Sequence, residues 1–257
     1  MSLDVALEAA QAAGQVIRAS LDRPVGVQSK GLRNYVTDVD LAAERAILEV
    51  LARRCPEHDV LTEESPPEAR RSRYRWVIDP LDGTLNFARG HPCFSVSVAL
   101  TLDGASIAAV IYDPLREQVF AAAAGEGATL AGKPLHVSQT STMIEAVIGM
   151  DWTRDAVSRA RNAALIGRLA EGCNVIRSCG SAALALCYVA AGWWDAYWHL
   201  GAQPWDLAAG ALIVREAGGQ VTDLAGQRWE LDTAPVLASN GQLHARLCAE
   251  IAQTDRS

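Results

Sequence analysis

The chain has 257 residues, half of them apolar and about a fifth charged, enough for one large domain or two packed halves around a substantial core. Its net charge of −7, from 30 acidic against 23 basic residues, argues against a nucleic-acid-binding surface. No run approaches the ~18 apolar residues of a membrane span, the early acids Asp4 and Glu8 do not suit a signal peptide, and six cysteines without a C-x-x-C pair read as reduced core thiols. A cytoplasmic location is the expectation.

In chain order, residues 3–21 space their apolar side chains by three and four, the pattern of an amphipathic helix. The polar stretch 28–34, with Lys30 and Gly31, reads as a mobile loop. Thr37 or Asp38 can cap a second helix over 41–51, and the first-turn acids Asp38 and Asp40 suit its dipole. Residues 60–61 form a short strand running into Glu63 and Glu64. Trp76-Val77-Ile78 makes another that delivers Asp79; Pro80 should stop it by removing a ladder donor, and Asp82-Gly83-Thr84 should turn the chain. Strands at 94–102 and 107–112 join across Asp103-Gly104, a hairpin signal, and 119–124 and 128–130 extend an antiparallel meander.

Beyond the meander the pattern predicts a strand at 144–150, a helix at 155–169 and a strand at 174–178. Gly180-Ser181-Ala182-Ala183 opens a helix to about residue 190, whose N-terminus can receive an anion or a hydroxylated ligand. An aromatic strand at 193–198 follows. Pro204-Trp205-Asp206 then starts a helix that is apolar nearly all round to residue 217 and must be buried. Strands at 221–224 and 236–239 and a helix at 242–252 close the chain. The alternation predicts a layered α/β fold in one domain over 1–257, its halves meeting near 140.

Asp79 and Asp82 stand three residues apart at a strand's end. Like charges that close repel unless cations lie between them, and hard oxygen ligands suit Mg²⁺ rather than zinc. Asp206, at the start of an apolar helix, is either its cap or a ligand held by the interior. Capping does not explain Asp79 and Asp82 together, and Glu63 ends the strand before theirs, so three acidic segments can converge on one cleft. Such a cluster, without a histidine ligand, suits metal-assisted phosphoryl transfer, and the backbone N–H groups of Gly83 and Thr84 offer a phosphate cradle. The absence of a G-x-x-x-x-G-K-[ST] loop favours hydrolysis by water over kinase chemistry.

Asp79-Pro80-Leu81-Asp82-Gly83-Thr84-Leu85-Asn86-Phe87 resembles the D-P-[IL]-D-G-T-x-N-F signature of the inositol monophosphatase family. Trp205-Asp206-Leu207-Ala208-Ala209-Gly210 resembles its second signature and Glu63-Glu64-Ser65 a third motif, in the family's order, with similarity over about residues 5–251. The resemblance implies an α-β-α-β-α sandwich of the inositol monophosphatase and fructose-1,6-bisphosphatase type. It also implies a homodimer, and Mg²⁺-dependent, Li⁺-sensitive hydrolysis of a small phosphorylated metabolite with two or three ions per site. It makes Glu63, Asp79, Asp82 and Asp206 metal ligands, with the Leu81 carbonyl completing one shell. Glu63 and Thr84 would position the attacking water, and Asp40 would hydrogen-bond Thr84. Lys30 would lie beside the third ion or the phosphate, Leu81, Asp82, Gly83 and Thr84 would surround the phosphate, and Gly180, Ser181, Ala182 and Asp206 would border the alcohol.

His199 stands where inositol-hydrolysing relatives carry a glutamate, so a ring with one donor and one acceptor replaces an acceptor-only carboxylate. It is expected to set specificity, whereas His58, His91, His136 and His244 read as surface or turn residues. Inositol 1-phosphate is the first substrate expected, with histidinol phosphate, fructose 1,6-bisphosphate and 3′-phosphoadenosine 5′-phosphate as alternatives. The last two require basic contacts for a second phosphate, for which Arg177 is the candidate the sequence offers. From another class, the chain could be a non-catalytic binding factor in a transcription complex; neither a membrane nor nucleic acid is expected as a direct partner.

Overall fold

Two helices, Ser2–Arg18 (α1) and Asp38–Arg54 (α2), flank a hairpin of Val27–Gly31 (β1) and Asn34–Thr37 (β2) in the computed structural model, which describes residues 2–23, 25–66, 71–231, 233 and 235–254. The expected domain limits at 1 and 257 lie outside the described residues. The chain continues through Asp59–Thr62 (β3), Tyr74–Asp82 (β4), the short helix Thr84–Ala88 (α3), Ser95–Leu102 (β5), Ala105–Asp113 (β6), Gln118–Ala123 (β7), Gly127–Leu130 (β8) and Lys133–Pro134 (β9). Then come Val147–Met150 (β10), Ala156–Ala170 (α4), Val175–Arg177 (β11), Ala182–Ala190 (α5), Ala196–His199 (β12), Pro204–Glu216 (α6), Gln220–Thr222 (β13), Val236–Ser239 (β14) and His244–Thr254 (α7).

Strands β3 to β9 form a seven-stranded sheet in sequence order, antiparallel except for the β3–β4 pair. A five-stranded sheet has the order β11-β10-β12-β14-β13, parallel across its first three strands. Alternation along the strands decides the layering. Trp76, Ile78, Val96, Val98 and Val110 point to one face of the large sheet and pack with Val5, Ala9, Ile17, Ala43 and Ile47 of α1 and α2. Val77, Ala99, Ala109 and Ile111 point to the other and meet α5 and α6, which also touch Tyr197, Val236 and Ala238 of the small sheet. Ile148, Met150, Trp198 and Leu237 face α4 and α7. The result is the expected α-β-α-β-α sandwich. Helix α6, buried from Leu207 to Val214, is its middle layer, which explains why it is apolar all round.

The structure corrects several local expectations. Residues 28–34 are not an irregular loop but most of the β1–β2 hairpin, in which Ser29 pairs with Tyr35 and Gly31 with Asn34. Lys30 is the extra residue of a bulge there. Pro80 does not stop β4: the strand runs on to Asp82, with Asp79 opposite Ser97 and Asp82 opposite Ser95, so three residue steps face two. The missing proline donor is absorbed by this bulge, which re-aims both acids. Met143–Glu145 is a single 3₁₀ turn ahead of β10, and β12 begins at Ala196 rather than 193, because 192–194 close the turn after α5. His244 is not a surface residue: it is 3% exposed, its ring nitrogens within 2.8 Å of the Thr222 and Ser239 hydroxyls.

Candidate active site

The carboxyl end of β3, the β4 bulge and the first turns of α3 and α6 open on one cleft of about 280 Å³. Glu63, Asp79, Leu81, Asp82, Gly83, Thr84, Gly180, Ala182, His199 and Asp206 all line it. Three of the expected site residues do not. Asp40 lies buried behind Thr84, Ser181 lies buried beside Asp82, and Lys30 reaches over the rim from β1.

Glu63, Asp79 and Asp206 each offer a carboxylate oxygen within 4.8 Å of the others. Asp79, 2% exposed, accepts the Leu81 N–H at 3.0 Å, and Asp206 accepts the Gln203 N–H at 2.7 Å as part of the α6 N-terminus. Asp206 is therefore both a helix cap and a member of the cluster. Asp82 stands beside the trio, with Oδ2 accepting the Ser181 hydroxyl at 2.5 Å and the Ala183 N–H at 2.8 Å.

Burial, followed by repulsion from Glu63, Asp82 and Asp206, pushes the Asp79 carboxyl well above the usual carboxylate range. Asp206 is pushed up in the same way, by its low-dielectric surroundings and then by Asp82 and Glu63. Burial raises Asp82 to about 7 despite its two hydrogen bonds. Packed acids that resist ionisation, all with hard oxygen donors, are a donor set that suits a divalent cation such as Mg²⁺.

Behind the cluster, Thr84 Oγ1 lies 2.8 Å from Asp40 Oδ1 and 3.2 Å from the Leu81 carbonyl. The other Asp40 oxygen accepts the N–H and hydroxyl of Thr37 at 2.9 and 2.5 Å, a capping box at the start of α2. Asp40 thus serves both the start of α2 and Thr84, one with each oxygen. Burial raises the Asp40 pKa, opposed by these hydrogen bonds.

Gly83 begins α3 with φ +95°, and a Cβ there would sit 2.9 Å from the Cys93 carbonyl and 3.2 Å from that of Gly180. Only glycine fits such an approach. Asn86 donates Nδ2 to the Cys93 and Cys179 carbonyls, 2.7 Å each, and Phe87 packs edge-on against Phe94. The Asn86-Phe87 end of the nine-residue motif is thus a clamp across the cleft floor.

Lys30 Nζ contacts both Glu64 oxygens at 2.8 and 2.9 Å and Glu63 Oε1 at 3.3 Å. Burial disfavours its charge, but the two glutamates outweigh that and raise its pKa.

His199, at the end of β12 and 9% exposed, accepts the Gly201 N–H on Nδ1 at 3.0 Å. Its pKa falls to about 4, first through burial and then through Arg154.

Sequence reasoning missed several supports. Glu44, 5% exposed on α2, accepts the hydroxyls of Thr62 and Ser65 at 2.8 and 2.9 Å and so holds the turn that carries Glu63. Asp151 accepts from the Ser178 hydroxyl, the Gly180 N–H and the Tyr197 hydroxyl at 2.7, 2.8 and 3.2 Å, fixing the turn before α5. It is an acid directly after the strand β10, the signal that could have found it. Arg33 and Arg154 line the cleft, whereas Arg177, exposed on β11, does not.

The model of the inositol monophosphatase family matches residues 2–256. The chain belongs to the inositol monophosphatase family. It is 41% identical over 241 residues to the Nus factor SuhB of Pasteurella multocida, covering 92% of this chain and 90% of that one. It is 39% identical over 258 residues to the inositol-1-monophosphatase of Synechocystis sp., covering 98% and 89%. The solved inositol monophosphatase from Anabaena superposes with a TM-score of 0.89 at 38% identity, covering 98% of this chain and 95% of that one. Membership supports a Mg²⁺-dependent phosphatase of this family type. Among the described residues no helix is long and apolar enough to cross a membrane.

Proposed function

We propose that the protein hydrolyses a small phosphate monoester, with inositol 1-phosphate the first to test and histidinol phosphate, fructose 1,6-bisphosphate and 3′-phosphoadenosine 5′-phosphate as alternatives. The observation that carries this is the meeting of Glu63, Asp79 and Asp206 carboxylates within 4.8 Å in a cleft that Asp82, Gly83 and Thr84 also line. In this reading Glu63, Asp79, Asp82, Asp206 and the Leu81 carbonyl hold two or three Mg²⁺ ions. Bound Mg²⁺ supplies a more acidic water and neutralises charge developing on the phosphoryl group.

The chain's own part is positioning. Thr84, its hydroxyl oriented by Asp40, directs the attacking water together with Glu63. The backbone from Leu81 to Thr84 receives the phosphate, with Gly83 allowing the close approach. Gly180 and Ala182 border the departing alcohol; Ser181 works from below by holding Asp82. Lys30, paired to Glu64 and Glu63, keeps positive charge at the phosphate end. We further take the protein to be a cytoplasmic, Li⁺-sensitive homodimer whose chain folds as one unit.

Inorganic phosphate release from a panel of monoesters, with and without Mg²⁺ and Li⁺, tests the reading. Asp82→Asn should abolish Mg²⁺-dependent release and keep the native circular dichroism; undiminished turnover would overturn the assignment. The Nus-factor name of relatives such as that of Pasteurella multocida favours a second reading, a binding factor in a transcription complex. A cellular role that survives Asp82→Asn supports that alternative.

A further inference from the structure

Beneath the cleft floor two cysteines far apart in the chain come together. Cys93 precedes β5 and Cys179 stands in the turn before α5, and Asn86 Nδ2 donates to both their carbonyls at 2.7 Å. Both thiols are free, Cys93 8% exposed and Cys179 half-buried, and they hydrogen-bond each other, with the Tyr188 hydroxyl also on Cys93. Arg116, held by the Asp113 carboxylate at 2.7 Å and the Pro92 carbonyl at 3.3 Å, sets a positive charge beside Cys93. The Cys179 proton has two acceptors in reach, the Cys93 sulfur and the Ser181 carbonyl at 3.2 Å.

The hydrogen bond from Cys179 draws the Cys93 thiol below its ordinary range, although burial, Asp82 and Asp151 oppose it. The same bond, then burial, holds the Cys179 thiol well above that range. By contrast, burial raises the thiols of Cys173, Cys187 and Cys248. A sulfur with thiolate character next to a protonated partner is the arrangement that a peroxide oxidises and a second thiol resolves.

We infer that Cys93 and Cys179 form a thiol switch on turnover: a hydroperoxide joins them in a disulfide that slows phosphate release, and a dithiol reductant restores it. In the first step the Cys93 sulfur attacks one peroxide oxygen. An S–O bond forms, the O–O bond breaks, and the departing hydroxide leaves as water with the Cys93 proton. The peroxide is reduced and Cys93 is oxidised to a sulfenic acid. In the second step the Cys179 sulfur attacks the Cys93 sulfur, the S–S bond forms, the S–O bond breaks, and a second water leaves with the Cys179 proton. Two sulfurs in hydrogen-bonded contact are thereby drawn to about 2.05 Å, and the Ser181 carbonyl loses its thiol donor. Both changes act on the turn whose Ser181 hydroxyl and Ala183 N–H hold Asp82 at 2.5 and 2.8 Å. The effect on turnover rests on the phosphatase reading, whereas the link itself does not.

The test treats the full chain with hydrogen peroxide, blocks the remaining thiols by alkylation and maps the cysteines by peptide mass. A Cys93–Cys179 link should form while the other four cysteines are alkylated. Phosphate release with Mg²⁺, measured on the best ester of the monoester panel, should fall by about tenfold or more and return with dithiothreitol. In Cys179→Ser, Cys93 should instead be trapped as its sulfenic acid by dimedone. Peroxide should leave the release rate of Cys93→Ser unchanged relative to the same variant untreated.

Both thiols still open to alkylation after peroxide, a link that joins other cysteines, a mapped link with unchanged turnover, or an equal loss in Cys93→Ser overturns this inference and leaves the phosphatase reading standing. No release from the reduced protein with any ester of the panel overturns both.

Discussion

Replacing Asp40 by asparagine separates its two hydrogen-bonding roles. The carboxylate accepts three protons, two from Thr37 and one from Thr84. An amide keeps one acceptor oxygen, which stays with the two Thr37 donors, so its NH₂ faces Thr84 Oγ1. The Thr84 hydroxyl must then accept and send its proton to the Leu81 carbonyl, 3.2 Å away. One charge-assisted hydrogen bond is lost, worth about 1.5–3 kcal/mol, partly offset because a neutral amide is cheaper to bury.

For a chain of this size Tm should fall by at most about 10 °C. If Thr84 directs the attacking water, kcat should fall by about 10²-fold or more. Thr37→Val removes the other side of the capping box, at a similar cost of about 0.5–2 kcal/mol, while leaving the Asp40–Thr84 bond in place. Its kcat should stay within about threefold of wild type. Thermal melts and phosphate release at saturating Mg²⁺ read both quantities. Asp40→Asn combined with Thr84→Ala should cost little more than the worse single variant, because the two act as a unit. Equal kcat losses in Thr37→Val and Asp40→Asn, or independent losses in the double variant, would refute the reasoning.

Three further outcomes follow from the geometry. The Asp82 carboxyl, raised to about 7, binds its proton more tightly folded than unfolded, so its contribution to stability is full below about pH 4 and lost as pH rises to about 7. In EDTA, Asp82→Asn should match wild type near pH 4 and melt higher at pH 8, and Mg²⁺ should raise only the wild-type Tm strongly; a variant that melts lower at pH 8 contradicts this. His199→Glu, which replaces a donor by an acceptor, should raise kcat/KM for inositol 1-phosphate relative to imidazole-bearing phosphates by about tenfold, and an unchanged ratio removes His199 from specificity. Gly83→Ala, with φ +95° and a carbonyl 2.9 Å from the new Cβ, should lower stability by about 1–3 kcal/mol, checked by urea unfolding, and an unchanged midpoint would show that the turn relaxes freely.

Much of this protein is local information. Apolar spacing of 3.6 and 2 residues sets its helices and strands, and the all-apolar helix from Leu207 to Val214 announces a buried layer. Asp79, Asp82, Glu63 and Asp206 stand out because each is an acid at an element's end, a place where the chain is already turning towards solvent or a cleft. Where tertiary contacts compete with a local rule, the sequence misleads. Pro80 reads as a strand end until β5 pairs on both sides of it and turns the break into a bulge. The stretch around Lys30 reads as a loop because every residue of β1 is exposed, leaving no alternation to see.

Sequence alone therefore determined the fold class and the acid-rich end of the cleft, since both follow from pattern and from a contiguous motif. Only the tertiary structure decided the other wall. Arg33 and Arg154 are 121 residues apart and meet through one side chain and one carbonyl, and the His199 proton is set by an N–H two residues on. Contacts of that range leave no periodicity in the chain, because they depend on how the hairpin, the turn after β10 and the end of β12 come to surround the same space.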